Sequence, residues 1–77
     1  MTLEEFVENF AGQFDDTDAN EIQAETKFHD LEEWSSMIVL GVIAMANIEY
    51  DVTLTGDDIK NAVTVKDLYD IVKSRQE

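Results

Sequence analysis

Apolar residues recur at helical spacing at the start of the chain. Leu3, Phe6, Val7, Phe10 and Phe14 fall at i, i+3, i+4, i+7 and i+11, one stripe of a helix over residues 2–14. Thr2 with Glu5 fits a capping box that opens it, and Glu4, Glu5 and Glu8 lie near its positive end. The period is lost over residues 15–35. DDTDANE is rich in turn formers, and Ile22, Phe28 and Leu31 are isolated apolar residues in a polar stretch. A loop of about 20 residues is long for a compact domain and tends to be functional or to hold short structure of its own. The three apolar residues are expected to pin it to the core.

The segment SMIVLGVIAMANIEY, residues 36–50, is apolar on nearly every face. That pattern predicts a helix buried on most sides, with Gly41 inside it at some cost in helix propensity. Thr55 followed by Gly-Asp-Asp caps a short third helix over residues 57–61, anchored by Ile59 and Val63. Thr64 with Asp67 opens a fourth, TVKDLYDIVKSR. In it Val65, Leu68, Tyr69 and Val72 repeat the i, i+3, i+4, i+7 stripe, and Lys73 and Arg75 close the negative end. No repeat or internal boundary interrupts the pattern. The fold expected is all-α: one domain over residues 1–77, a small four-helix bundle of three main helices and a short third one, with a long first loop.

Composition narrows what such a bundle does. The 77 residues hold 18 acids against 5 Lys and Arg, a formal net charge of −13. So acidic a chain is a poor partner for nucleic acid or an anionic membrane, whose phosphates require Lys and Arg. Basic proteins and divalent cations suit it better. The hydrophobic content of 44% separates it from charged disordered chains. Without cysteine there is no disulfide and no thiolate-held metal, and the single histidine, His29, rules out a multi-histidine site within one chain. The longest uninterrupted apolar run, residues 37–46, is too short to span a bilayer. MTLEEFVENF lacks the basic start of a signal peptide. A cytoplasmic monomer with no membrane insertion is expected.

Candidate chemistry is sparse. Asp16, Asp18 and Asn20 fall at positions 1, 3 and 5 of a calcium loop. Glu21 stands where its turn needs Gly, however, and Lys27 where a bidentate Glu is needed. A solvated acidic loop is the simpler reading, and no metal site is assigned. His29 has no nucleophile at a spacing that suggests a proton relay, so it reads as a surface or loop-packing residue. The chain is too small for a deep substrate pocket, and no self-contained enzyme active site is expected. The most informative stretch is LEEWSSMIVL, where a serine pair meets the start of the most apolar helix. One reading is a plain N-cap by Ser35 or Ser36. The other is a phosphate ester on one serine, favoured there by the free N–H groups and the helix dipole.

At these residues the sequence resembles the acyl carrier proteins. That family consists of small acidic four-helix bundles with a long first loop and a short third helix. Its mark is an Asp-Ser-Leu triplet opening helix two, whose serine receives a 4′-phosphopantetheine arm. Ser35-Ser36-Met37 match the triplet. Further agreement comes from Ile43-Ala44-Met45, from Glu49-Tyr50-Asp51-Val52-Thr53-Leu54 and from Thr64-Val65-Lys66-Asp67-Leu68, so the resemblance covers nearly all of the chain. The family places an aromatic-Asp pair fourteen residues after its modified serine, and Tyr50-Asp51 counted back gives Ser36. Variants whose triplet follows a tryptophan also point, through Trp34, to Ser36. Ser35 is the alternative.

The resemblance implies a carrier and not a catalyst. A chain without cysteine would borrow its thiol from the arm and hold acyl groups as thioesters for fatty acid, polyketide or specialised lipid biosynthesis. The partners implied are a phosphopantetheinyl transferase and acyl- or aminoacyl-transferring enzymes. Two departures set the sequence apart. Ser35 replaces the triplet's Asp, removing the charge that the family's basic transferase engages, and Met37 replaces Leu at similar volume. No acid stands between Glu33 and Glu49, whereas helix two of the common fatty-acid carriers is acidic. Docking is therefore expected to use Asp30, Glu32 and Glu33 before the serine and Met37, Ile38 and Val39 after it, with Ile38, Val39 and Gly41 facing outward. Gly41, Ala44 and Ala46 are expected to leave room along helix two for an apolar cargo. An aminoacyl or peptidyl carrier working with an adenylating ligase, and an unmodified interaction domain of the same fold, are the alternatives.

Of the 5 basic residues, 4 lie from Lys60 onward, so the imbalance sits in residues 1–59. Self-repulsion of this kind is relieved by screening. Millimolar Mg²⁺ or Ca²⁺, or moderate salt, should raise the melting temperature; a melting curve unchanged across a salt series would contradict this.

Overall fold

The computed structural model of the chain describes residues 1–76; Glu77 lies outside them. Four helices follow in order: α1, Leu3–Ala11; α2, Ser36–Tyr50; α3, Gly56–Asn61; and α4, Val65–Gln76. Among the described residues there is no strand, and the molecule is a small all-α bundle. Among the described residues no helix is long and apolar enough to cross a membrane.

Each helix begins where a side chain satisfies its first N–H groups. Thr2 accepts from the Glu5 N–H at 3.1 Å, so half of the expected box forms. α3 has the full reciprocal box: Thr55 Oγ1 accepts from the Asp58 N–H at 3.2 Å, and Asp58 Oδ2 accepts from the Thr55 N–H at 2.9 Å. Thr64 and Asp67 repeat the exchange at α4, at 3.2 and 3.0 Å. α1 is shorter than its stripe predicts, ending at Ala11, with Phe14 reached through two further turn bonds and still buried. α2 ends on Asp51, whose φ of 55° and ψ of 39° put it in the left-handed region.

The core is built on aromatic rings. Phe6, Phe10 and Phe28 are fully buried. Phe10 meets Phe14, Phe28 and Trp34 at ring-centroid distances of 5.5, 5.4 and 6.2 Å. Phe6 meets Tyr50 of α2 and Tyr69 of α4, both at 5.8 Å. Truncating one buried Phe costs about 3–5 kcal/mol, comparable with the whole stability of a marginal domain. Ile22 and Phe28 are buried and Leu31 half-buried, so the loop is pinned as its sequence predicts. It also holds two 3₁₀ turns, Ala19–Glu21 and Phe28–Asp30.

The loop is tied to the far end of the chain as well. The Lys66 N–H donates to the Ala24 carbonyl at 2.9 Å and the Val65 N–H to the Thr26 carbonyl at 3.2 Å. His29 Nε2 lies 3.1 and 2.9 Å from the Ile59 and Ala62 carbonyls. Carbonyls only accept, so Nε2 carries the proton and staples the loop to the end of α3. The expectation of a packing histidine fits this contact. Arg75 ties α3 to α4, its guanidinium gripping both Asp58 oxygens at 2.5 and 2.6 Å and the Thr53 carbonyl at 3.0 Å. That grip holds the Asp58 carboxyl well below the usual carboxylate range.

α2 departs from its expected burial. Ile38, Val42, Met45 and Ala46 are buried, but Met37, Leu40, Ala44 and Ile48 are exposed. α1 and α4 pack against one side of α2 only, and an all-round apolar sequence leaves the remainder in water.

Asp51 combines two unfavourable features: a left-handed backbone on a residue with a Cβ, and a negative charge at the negative end of α2. Asp51→Gly should therefore stabilise the chain by about 1 kcal/mol, read as a rise in melting temperature of about 4–8 °C. A fall would show that the Asp51 side chain makes a contact worth more than its strain.

Candidate functional site

The stretch before α2 is assembled from three directions. Trp34 stacks on Phe10 and Phe14 at 6.2 and 6.3 Å and meets Phe28 in a tilted contact at 4.8 Å, which fixes the chain immediately before the serines. Glu33, one residue earlier, accepts from the Asp15 N–H at 2.7 Å, the Asp16 N–H at 2.9 Å and the Thr17 hydroxyl at 2.8 Å. The Trp34 N–H donates to the Leu31 carbonyl at 3.0 Å. The residues leading into α2 are thereby held at both side chain and backbone.

The serines divide their roles. Ser35 is the N-cap, with extended backbone, and its Oγ accepts from the Ile38 N–H at 3.5 Å. Ser36 is the first helical residue. It is exposed, and among the described residues no hydrogen bond engages its hydroxyl. The first helical bond runs from the Val39 N–H to the Ser35 carbonyl at 3.0 Å, which leaves the N–H groups of Ser36 and Met37 without intrahelical partners. There is no acid in the first turn of α2. A phosphate attached at Ser36 Oγ would lie at the positive end of a 15-residue helix, beside free N–H donors. The residues present therefore fit a phosphodiester at Ser36, while Ser35 is committed to its cap.

The expected docking residues separate. Asp30 and Glu32 are exposed on the approach to the serines, and Met37 is 80% exposed beside Ser36. Ile38 does not belong with them. At 8% exposure it is a core residue, because Ile38, Val42 and Met45 form the i, i+4, i+7 face turned inward. Val39 and Gly41, also expected to face outward, are half-buried, with Gly41 set against the Gln13 side chain. Glu33 keeps its charge, but both carboxylate oxygens already accept internal hydrogen bonds, so the group is fixed in place and not free to turn toward a partner. Leu40 and Ile48, not among the expected docking residues, are 67% and 77% exposed. With Met37 and Ala44 they form an apolar strip at i, i+3, i+7 and i+11. The signal was present in that spacing, but the continuous apolar run hid it.

The three small residues expected to make room for cargo do not share one face of α2. Gly41 faces Gln13, Ala44 faces solvent and Ala46 is fully buried, so the three occupy different sides of the helix. A recess of about 230 Å³ lined by Asp16, Thr17, Glu32 and Glu33 lies beside the serine segment. Among the described residues no group of three His, Cys, Asp or Glu side chains is placed to hold a metal ion. The chain matches no protein-family model and no curated protein.

Partial desolvation pushes the Glu33 carboxyl up, but the N–H and O–H donors of residues 15–17 outweigh it and hold the group below its ordinary value. A lowered folded-state pKa contributes stability above the unfolded value, about 4.3, and loses it as pH falls through the folded value. Glu33→Gln should therefore lower the melting temperature near neutral pH, with the gap to the unmodified chain closing as the pH drops below about 4. A gap constant with pH would show that the carboxylate's charge contributes nothing to the clasp.

Proposed function

We propose that the chain is a carrier protein that holds acyl groups as thioesters on a 4′-phosphopantetheine arm attached to Ser36. The observation that carries this reading is the division of labour at the start of α2. Ser35 satisfies the cap, and Ser36 is left exposed with a free hydroxyl at a helix end suited to a phosphodiester. The arm, when attached, supplies the thiol that a chain without cysteine lacks. The protein's own part is positional. The Trp34 stack and the Glu33 clasp hold the segment leading to Ser36, and the Ser36 and Met37 N–H groups offset the phosphate charge.

Partners meet this site over two kinds of surface. Asp30 and Glu32 supply negative charge, which speeds encounter with basic enzymes and weakens with salt. Met37, Leu40, Ala44 and Ile48 supply an uncharged apolar strip of the kind that marks an interaction site. These partners would be a phosphopantetheinyl transferase and the enzymes that load and unload acyl groups, in fatty acid, polyketide or specialised lipid biosynthesis. The absence of acid along this strip favours a second reading within the same chemistry, an aminoacyl or peptidyl carrier served by an adenylating ligase. The strip also suits an unmodified interaction domain, which needs no free serine.

Incubation with coenzyme A and a promiscuous phosphopantetheinyl transferase, followed by intact mass measurement, separates these readings. A carrier gains about 340 Da, the mass of the arm. Ser36→Ala should abolish the gain, and Ser35→Ala should retain it. No gain with any transferase would leave the interaction domain, and a gain lost only in Ser35→Ala would move the attachment site.

A further inference from the structure

A second concave surface lies at the other end of α1 from Ser36. α1 and α2 run antiparallel: Phe6 and Asn9 of α1 meet Tyr50 at the end of α2, whereas Phe14 meets Trp34 just before its start. The first turns of α1 are therefore remote from the serine. There, half-buried Leu3, Val7 and Ala24 form the floor of a groove of about 370 Å³, and exposed Glu4, Glu8 and Glu25 surround it. The volume is within the range of ligand sites.

Three features of the groove bear on its occupant. First, its far wall is preformed. The Gln23 N–H donates to Thr26 Oγ1 at 2.8 Å, the Thr26 N–H to the Gln23 carbonyl at 3.1 Å, and the Ala24 carbonyl is held by the Lys66 N–H. Binding there orders little new chain, which removes one of the main costs of association. Second, the three carboxylates are uncompensated. The ion pairs among the described residues are Lys66–Asp70 and Arg75–Asp58, and neither reaches this rim. Third, the floor is apolar. The recess beside Glu33 is lined by acids and a threonine alone and offers no apolar side chain. The α1 groove joins negative charge to apolar area, so its complement is both basic and apolar.

We propose that this groove docks a segment of a partner protein that carries an apolar side chain flanked by Lys or Arg. The apolar side chain covers Leu3, Val7 and Ala24, and the flanking cations meet Glu4, Glu8 and Glu25. Because the groove is remote from Ser36, it holds such a partner while the serine end of the bundle is engaged elsewhere. The proposal stands on the groove alone and does not rest on the carrier reading.

The test is an NMR titration of the isotope-labelled full chain at about 0.15 M salt, where long-range charge effects are screened. The probes are two acetylated, amidated pentapeptides, Lys-Lys-Leu-Lys-Lys and Lys-Lys-Ser-Lys-Lys. The leucine peptide should bind about tenfold more tightly, as burial of part of one apolar side chain gives, with shifts centred on residues 3–8 and 23–25. Val7→Ser should remove the difference between the two peptides. Glu8→Gln, a change at an exposed position that leaves the fold intact, should weaken binding of both. Ser36→Ala should change nothing, which keeps this result separate from any outcome at the serine. Equal affinity for the two peptides, or shifts centred on residues 15–18 or on α2, would overturn the proposal.

Discussion

Phe10 makes the contact on which the rest of the molecule depends. Its ring meets Phe14, Phe28 and Trp34, which come from the turn after α1, the middle of the long loop and the residue before the serines. A chain of this size buries only about 60% of its unfolded surface, so few residues are available to organise a loop of this length. One buried aromatic cluster does so at several points at once. It brings the loop back across α1, and in doing so it sets where α2 begins. Ser36 is placed by a hydrophobic contact made two residues earlier, and the polar chemistry of the site rests on an apolar foundation.

Polar contacts then define what the cluster leaves loose. Glu33 binds the start of the loop to its end, His29 binds the loop to α3, and the Thr26 and Ala24 carbonyls bind it to α4. Each partner is a backbone group that the loop or a helix end would otherwise leave unpaired, so these bonds satisfy the backbone as well as order the chain. Arg75 closes α4 onto α3 through the Asp58 carboxylate and takes up the Thr53 carbonyl as well. Few of the acids take part. Among the described residues most carboxylates lie outside any ion pair, which keeps the chain strongly negative and leaves its surface to be neutralised by partners.

The two ends of the bundle differ in the surface they offer. Around Ser36 an exposed hydroxyl and free N–H groups adjoin an apolar strip on α2. At the opposite end a groove between α1 and the loop combines an apolar floor with unpaired carboxylates. The antiparallel run of α1 and α2 puts the groove at the end of the bundle away from Ser36, while the α2 strip extends from Met37 beside the serine to Ile48 near the opposite end.

Much of this was legible in the residues themselves. The helices follow from local signals: the 3.6-residue stripes of α1 and α4, and the Thr caps at Thr2, Thr55 and Thr64. Ile22 and Phe28 could be picked out as loop anchors because an isolated apolar residue in a polar stretch has few other uses. The serine pair was visible as the start of a helix. What local pattern does not carry is direction. α2 is apolar on all sides, so its sequence names no buried face, and only packing against α1 and α4 turned Ile38 inward and left Leu40 and Ile48 in water. Glu33 looks like any other acid of the chain, and its commitment to the N–H groups of Asp15 and Asp16 arises from a contact across 17 or 18 residues. Local propensity acts over a turn or two of chain. Which surface is covered, and which charge is already spent, are decided by residues that meet only when the chain is folded.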